Sequence, residues 1–474
     1  MCAIFGAVSR KYYPELVDQV ILGLSKQQHR GEDSAGAVYT NGRYVKHKKG
    51  FGLISQVLAP MIPEIKAHQP TMIIAQTRYK TSGNNSTRNI PPQWIDTHRG
   101  TFGFVHNGNI PELKRKMLSF EAQAKGGVEF EYDDNYPLND TEFMLKKIFW
   151  LMDHQYDGNM QAAIRDFMYT TIGTYSAALL HREGIYVFRD PWGNRPYFRT
   201  DGDGAIFFAS ETSALKGLGN IVEIKPGQIL HLNPDNKKLI QVGSISKKAP
   251  LAHCIFEEIY FAKPTSRTFS DEVEANFRFR TGQKLWDTLA PGFSSGVDFV
   301  CYMPESGRHA AQGFSFQSGI PLIDVYERDP YVTKTFIHPD PDYRKYLAEL
   351  KYNLIPDRVK GKKIILIDDS IVRGTTLEHR IKELFLNGAL EVHVAIASPP
   401  IIDQCYWGID MEEDLMAADK SIEVIRIFLG ATTLNFLSLE LLKELIKERK
   451  SNPDNYCFGC FTGNHTIPLL FKKA

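Results

Sequence analysis

Long apolar runs are missing from this chain of 474 residues: none approaches the roughly 18 consecutive apolar residues of a membrane-spanning helix, and Met1 to Arg10 is too short for a secretory leader. Cysteine is scarce. Six in the whole chain exclude a disulfide framework and leave thiols for catalysis or metal binding. Charge of one sign is not in excess either. A formal net charge of +1 gives no field for drawing in nucleic acid or an anionic membrane, so local groups must hold any anionic ligand. No fixed-period repeat or low-complexity tract is present. These absences lead us to expect a cytoplasmic protein with small-molecule substrates, no nucleic acid partner and no membrane association. At 43% hydrophobic residues, a chain this long exceeds one ordinary core, and two or more domains are expected, joined near Asn233 to His253.

What is present is concentrated in a few passages. Lys363 to Thr376 runs from four consecutive apolar residues into Asp368 and Asp369, then through a loop bearing hydroxyls and glycine. Leu377, Ile381, Leu384 and Phe385 follow at helical spacing. The loop thus sits at the carboxyl end of a buried parallel strand, where open α/β sheets bind ligands. Helix N-terminal N–H groups, with the hydroxyls of Ser370, Thr375 and Thr376, suit a phosphate, and Gly374 lets the backbone come close. Asp368 and Asp369 suit ribose hydroxyls and Mg²⁺ rather than bare phosphate. From these residues alone, an ordinary strand end with a capped helix entry stays open. Strand-like runs at Val297 to Met303, Ile320 to Tyr326, Lys363 to Ile367 and Val392 to Ser398 alternate with helical periods, which predicts a parallel sheet.

At the other end, Cys2 becomes the first residue once Met1 is removed, and its thiol then stands beside an α-amine able to act as its base. Arg78 at a strand end suits a substrate carboxylate. The Asn107 amide and the Gly108 N–H, in a strand-to-turn passage, suit an oxyanion. Asp140, opening an apolar helix, suits an ammonium. Singly, each has a structural account as a hairpin turn, a surface ion pair or a helix cap.

Together these passages resemble a known family. Lys363 to Thr376 looks like the phosphoribosyl pyrophosphate (PRPP) motif of type I phosphoribosyltransferases, and Ser370 to Thr376 resembles the glutamine PRPP amidotransferases in particular. Cys2, followed by Gln28 to Gly36, Ile73 to Gly83, Phe104 to Asn109 and Asn139 to Glu142, resembles the glutaminase domain of N-terminal-nucleophile (Ntn) amidotransferases. The resemblance implies a four-layer αββα Ntn hydrolase domain over 2–240, then an α/β parallel-sheet type I phosphoribosyltransferase domain with a C-terminal helical segment over 254–474. It implies glutamine and PRPP as substrates, giving 5-phosphoribosylamine, glutamate and pyrophosphate, the first committed step of purine synthesis. Cys2 would be the nucleophile, Asn107 with Gly108 the oxyanion hole, and Arg78 with Asp140 the glutamine clamp. Asp368, Asp369, Ser370, Arg373, Gly374, Thr375, Thr376 and Lys334 would bind PRPP, with Ser306, Asp368 and Asp369 near Mg²⁺. Cys254, Cys405, Cys457 and Cys460 would hold a [4Fe-4S] cluster, as in the iron-sulfur subgroup, although four thiolates also suit zinc. Purine nucleotide feedback and a homodimer or tetramer are further implications.

Departures from the family pattern bear on activity. Gln76 stands for a histidine, Glu305 for an aspartate, and Lys263 and Lys334 for arginines. Lysine lacks the bidentate fork, so a Lys334 that meets pyrophosphate acts as a point charge. These departures motivate an alternative expectation, a PRPP-binding regulator that kept the folds. A segment from Tyr331 to Val359 is expected to act as a lid over PRPP.

Overall fold

The structure, a computed structural model, describes residues 2–79, 87–125, 127–130, 138–202, 204–235, 240–245, 249–289, 296–328, 352–409, 411 and 415–468. Lys334 and most of the expected lid lie outside the described residues.

The first half stacks two antiparallel sheets, of seven and six strands, between helices. Alternation along each strand explains the four layers. In Cys2–Ser9, Ala3, Phe5 and Ala7 face the helix Glu15–Ser25, packing on its Leu16, Val17 and Val20. Ile4 and Val8 point the other way, against Val105, Ala178 and Val187 of the second sheet. The second sheet's outer face is covered by the helices Leu113–Ala124, Asp140–His154 and Met160–Thr170. A strand covered on both sides has no solvent face, which is why seven of the eight residues of Cys2–Ser9 are buried. The last strand of the second sheet is Ile240–Ser244.

The second half is built on a four-stranded parallel sheet in the order Phe299–Tyr302, Lys363–Asp368, Glu391–Ile396 and Thr433–Phe436. Val300, Ile365 and Ile367 pack on one side against Phe277, Ala310 and Phe314. Ile364, Leu366 and Val394 pack on the other against Leu377, Ile381 and Ile425. The run Ile320 to Tyr326 does not form the expected parallel strand. Only Leu322 bridges Val300, Pro321 has no N–H to extend the ladder, and Tyr326–Arg328 pairs instead with Tyr352–Leu354 in a separate antiparallel ribbon. Among the described residues no helix is long and apolar enough to cross a membrane.

Candidate functional site

Antiparallel pairing between the strands Cys2–Ser9 and Met72–Arg78 sets Cys2 directly opposite Arg78. From the facing sheet, the strand Gly100–Asn109 brings Asn107 to the same place, where the Cys2 N–H donates to Asn107 Oδ1 at 3.4 Å. Asn107 and Gly108 lie within that strand, paired with Ser176 and Tyr175, not in the expected turn, so a regular ladder holds both. The Asn107 amide nitrogen is buried without a hydrogen-bond partner among the described residues. A buried donor left so costs about 1–3 kcal/mol, a cost recovered when an acceptor binds.

Asp140 is the first residue of the helix Asp140–His154, and the cap is its neighbour Asn139, whose side chain accepts from the Glu142 N–H. Burial raises the Asp140 carboxyl, but the charges of His106 and Arg78 outweigh that and hold it below the ordinary carboxylate range. His106 Nε2 is 3.2 Å from Asp140 Oδ2, and its Nδ1 meets Thr141 Oγ1 at 2.8 Å. Arg78 donates to the Asn89 carbonyl at 2.8 Å, and the Asn139 amide donates to Asn89 Oδ1 at 2.9 Å. Cys2, Arg78, Asn107, Gly108 and Asp140 therefore converge on one cavity of about 480 Å³. Its opposite wall comes from the second half, through Gln404, Cys405, Gly408, Ile409 and Met411.

Sequence reasoning missed His106 and Asn89, whose only signal was proximity to recognised motifs, and it missed that opposite wall entirely. It flagged Gln76 as a departure. The Gln76 amide donates to the His106 carbonyl at 2.8 Å and accepts the His106 N–H at 3.1 Å, which ties the two sheets together beneath the cavity.

Arg30 is the other residue that went unassigned. It is fully buried, donates Nε–H to the Cys2 carbonyl at 3.1 Å, forks onto Glu257 at 2.7 and 2.9 Å, and reaches Glu211 at 2.8 Å. Arg195 completes a balanced set of two cations and two anions through Glu257 at 3.2 Å. Burial opposes the Arg30 charge, and Glu257 with Glu211 more than restore it. Because Glu257 belongs to the second half, the Cys2 backbone is tied to both halves.

In the second half, the loop after Lys363–Asp368 enters the helix Thr375–Leu386 through Gly374 at φ 76°, a left-handed conformation suited to glycine, and among the described residues no side chain caps the helix. Its first N–H groups are left for an anion, with Arg373, Thr375 and Thr376 exposed beside them. Ser306 donates to Asp368 Oδ1 at 2.8 Å, the Asp369 N–H donates to the same oxygen at 2.8 Å, and Ser370 donates to Asp369 Oδ2 at 2.6 Å. Burial first, and then the neighbouring carboxylate, pushes Asp368 well above the usual range; burial also raises Asp369. Such a pair calls for a countercharge, and hard oxygen donors suit Mg²⁺. Glu305 accepts from Arg308 at 2.9 Å, and the Lys263 N–H donates to Glu211 at 3.0 Å.

Four thiols from three segments also converge. Cys254 pairs with Cys457 across a short parallel ribbon, Cys460 follows one turn on, and every pair among Cys254, Cys405, Cys457 and Cys460 is close enough to interact electrostatically. All are free thiols. Burial, then their mutual charge, pushes Cys254 up to about 12 and Cys457 up to about 11, while nearby Arg195 lowers both. Among the described residues, no three or more His, Cys, Asp or Glu side chains group as a site for a metal ion. Cys301 is a buried apolar residue of the parallel sheet, apart from this set.

Comparison with known proteins bears on the whole length. No family model matches. An amidophosphoribosyltransferase of Methanothermobacter thermautotrophicus is 33% identical over 475 residues, covering 99% of this chain and 95% of its own length. The amidophosphoribosyltransferase of Rattus norvegicus is 31% identical over 521 residues, covering 99% and 98%. Among solved structures, glutamine PRPP amidotransferase from B. subtilis, in complex with ADP and GMP, superposes with a TM-score of 0.84 at 30% identity, covering 98% of this chain and 97% of that one. With both half-sites assembled and relatives matched nearly end to end, this chain belongs to the amidophosphoribosyltransferase family.

Proposed function

We propose that this chain releases ammonia from glutamine at Cys2 and transfers it to C1 of PRPP, giving 5-phosphoribosylamine, glutamate and pyrophosphate, the entry step of purine synthesis. The observation that carries this reading is the cavity of about 480 Å³, in which a thiol, an amide donor without a partner among the described residues, an arginine and an aspartate held below the ordinary carboxylate range face one another.

Once Met1 is removed, the Cys2 α-amine takes the thiol proton and Sγ attacks the glutamine carboxamide carbon. The Asn107 amide and the Gly108 N–H donate to the oxyanion that forms. Collapse of that intermediate breaks the C–N bond. The α-ammonium returns its proton to the departing nitrogen, leaving ammonia and a glutamyl thioester that water hydrolyses to glutamate. Arg78 pairs with the substrate carboxylate and Asp140 with its ammonium. The ammonia passes internally, because at neutral pH free ammonia is mostly protonated and no nucleophile. At the second site Ser370, Arg373, Gly374, Thr375, Thr376 and the helix N-terminus hold phosphate, and Asp368 with Asp369 hold the ribose hydroxyls. Ser306, Asp368 and Asp369 would hold Mg²⁺, which supplies positive charge for the departing pyrophosphate. Lys334, on the lid, would add a cation.

The four thiols fit a [4Fe-4S] cluster in the chemistry of their donor set: four soft ligands, three buried and Cys405 half-buried, within electrostatic reach of one another and not paired as disulfides. Bound there, a cluster supplies iron–thiolate bonds that cross-link three segments of chain. Iron and sulfide analysis with an absorption spectrum on anaerobically purified protein tests it; colourless protein with zinc would replace it. Units at 2–240 and 254–474 act as one cytoplasmic enzyme, a dimer or tetramer, and purine nucleotides are its proposed feedback ligands by likeness to the B. subtilis complex. No specific observation favours the regulator alternative.

Cys2→Ala tests the reaction. Glutamate release should vanish while ammonium-dependent pyrophosphate release from PRPP continues. Undiminished glutamate release by the variant would show that another residue does the chemistry.

A further inference from the structure

The wall that the second half lends to the glutamine cavity is positioned against the oxyanion glycine itself. A Cβ built on Gly408 would lie 2.9 Å from both the carbonyl carbon and the oxygen of Gly108, and Gly408 has φ 103°, which side chains rarely adopt. On its other side Gly108 is equally confined, since a Cβ there would fall 1.9 Å from the Thr174 carbonyl oxygen. The backbone of Gly108 is thus held between Thr174 and Gly408.

The segment Cys405 to Gly408 is fastened in place by the first half. The Asn109 amide donates to the Tyr406 carbonyl at 2.9 Å, and the Trp407 carbonyl accepts from Thr174 Oγ1 at 3.0 Å and from Arg195 at 2.7 Å. From its own side, the Trp407 N–H donates to Cys405 Sγ at 3.4 Å, and the Trp407 indole donates to His465 Nδ1 at 3.2 Å. Trp407 is buried, so a loss of these bonds strands polar groups away from water.

We propose that Cys405 to Gly408 is a strap from the second half that sets the position of the Gly108 backbone, and so the geometry of the oxyanion hole, with Gly408 and Thr174 as positioning residues for glutamine cleavage. This deepens the reading of the reaction given above and rests on it. The strap touches the oxyanion side of the cavity, so it acts on the transition state more than on glutamine binding. Gly408→Ala drives a methyl into the Gly108 carbonyl, and Thr174→Val removes the hydroxyl that holds the Trp407 carbonyl while keeping the side chain's shape.

The experiment compares glutamine hydrolysis with ammonium-dependent synthesis from PRPP in the full-length enzyme. Loss of a whole oxyanion donor costs about 10²–10³ in kcat, and a displaced one is expected to cost roughly tenfold. Gly408→Ala should therefore lower kcat for glutamine by roughly tenfold or more, with KM for glutamine changed less than about threefold and ammonium-dependent synthesis unchanged. Thr174→Val should act in the same direction and Thr174→Ser should restore the rate. A kcat within about twofold of the parent for both Gly408→Ala and Thr174→Val overturns the inference, as does equal loss of both activities. A parent that hydrolyses no glutamine overturns the reading of the reaction, and the inference with it.

Discussion

Replacing Arg30 with methionine should cost this protein about 3 kcal/mol, and the structure shows why the figure falls near the lower end of the usual range. Breaking a buried ion pair by removing one partner costs about 3–5 kcal/mol, because the surviving charge is left without compensation. Two carboxylates lose a partner here. Glu211 keeps the Lys263 N–H at 3.0 Å, the Ser266 hydroxyl at 2.7 Å and His29 at 2.8 Å, so it stays well solvated by the protein. Glu257 keeps only the 3.2 Å contact to Arg195 among the ion pairs described, and most of the penalty falls there. Against a native stability of about 5–15 kcal/mol, such a loss is plain in a urea titration. The discriminating variant is the double replacement Arg30→Met with Glu257→Leu, which removes one charge of each sign. It should be less destabilised than the sum of the single variants by about 2 kcal/mol. Glutamine hydrolysis should fall in Arg30→Met because the Cys2 carbonyl loses its donor, and ammonium-dependent synthesis should fall less. An unfolding midpoint for Arg30→Met that shifts by less than about 0.5 kcal/mol equivalent, or strictly additive single variants, would refute the reasoning.

Other perturbations separate the remaining roles. Asn107→Ala should lower kcat for glutamine hydrolysis about 10²–10³-fold with a smaller change in KM, measured as glutamate release at saturating PRPP. Asp369→Asn should abolish PRPP binding in calorimetry yet leave the magnesium-free protein at least as stable as its parent, because burial and the adjacent carboxylate already disfavour the ionised pair. Glu211 has its folded pKa well below the ordinary value: burial raises it, but His29 and Arg30 lower it more. Its contribution is therefore fully present above about pH 4.3, the unfolded value, and is lost as pH falls through the depressed folded one. Glu211→Gln should be less stable at pH 7 and should lose less further stability between about pH 5 and 2 in acid titrations followed by circular dichroism.

Much of the chemistry was legible because its residue types are local. Asp368 and Asp369 followed by a glycine-bearing loop is a strand end feeding a helix, and the structure has that arrangement, with Gly374 left-handed at the helix entry. The continuous apolar runs alternating with helical periods pointed to the parallel sheet, because strands covered on both faces carry no polar alternation, whereas the two stacked sheets of the first half were expected from the family resemblance and not from periodicity. The reading failed where pairing partners had to be known. Ile320 to Tyr326 has strand composition, yet after one bridge at Leu322 it leaves the sheet, and Tyr326–Arg328 pairs with Tyr352–Leu354 instead.

The sequence by itself determined which groups are present: a thiol at position 2, an arginine at a strand end, an amide beside a glycine, paired carboxylates, and four soft ligands outside the parallel sheet. Tertiary structure decided which of them meet. Strand register put Arg78 opposite Cys2, sheet stacking brought up Asn107, and packing of the two halves laid Gly408 on Gly108 and joined Arg30 to Glu257. The physical reason is that local composition fixes conformation over a few residues, whereas contacts across hundreds of residues follow from hydrogen-bond register and close packing, which no single stretch of chain encodes alone.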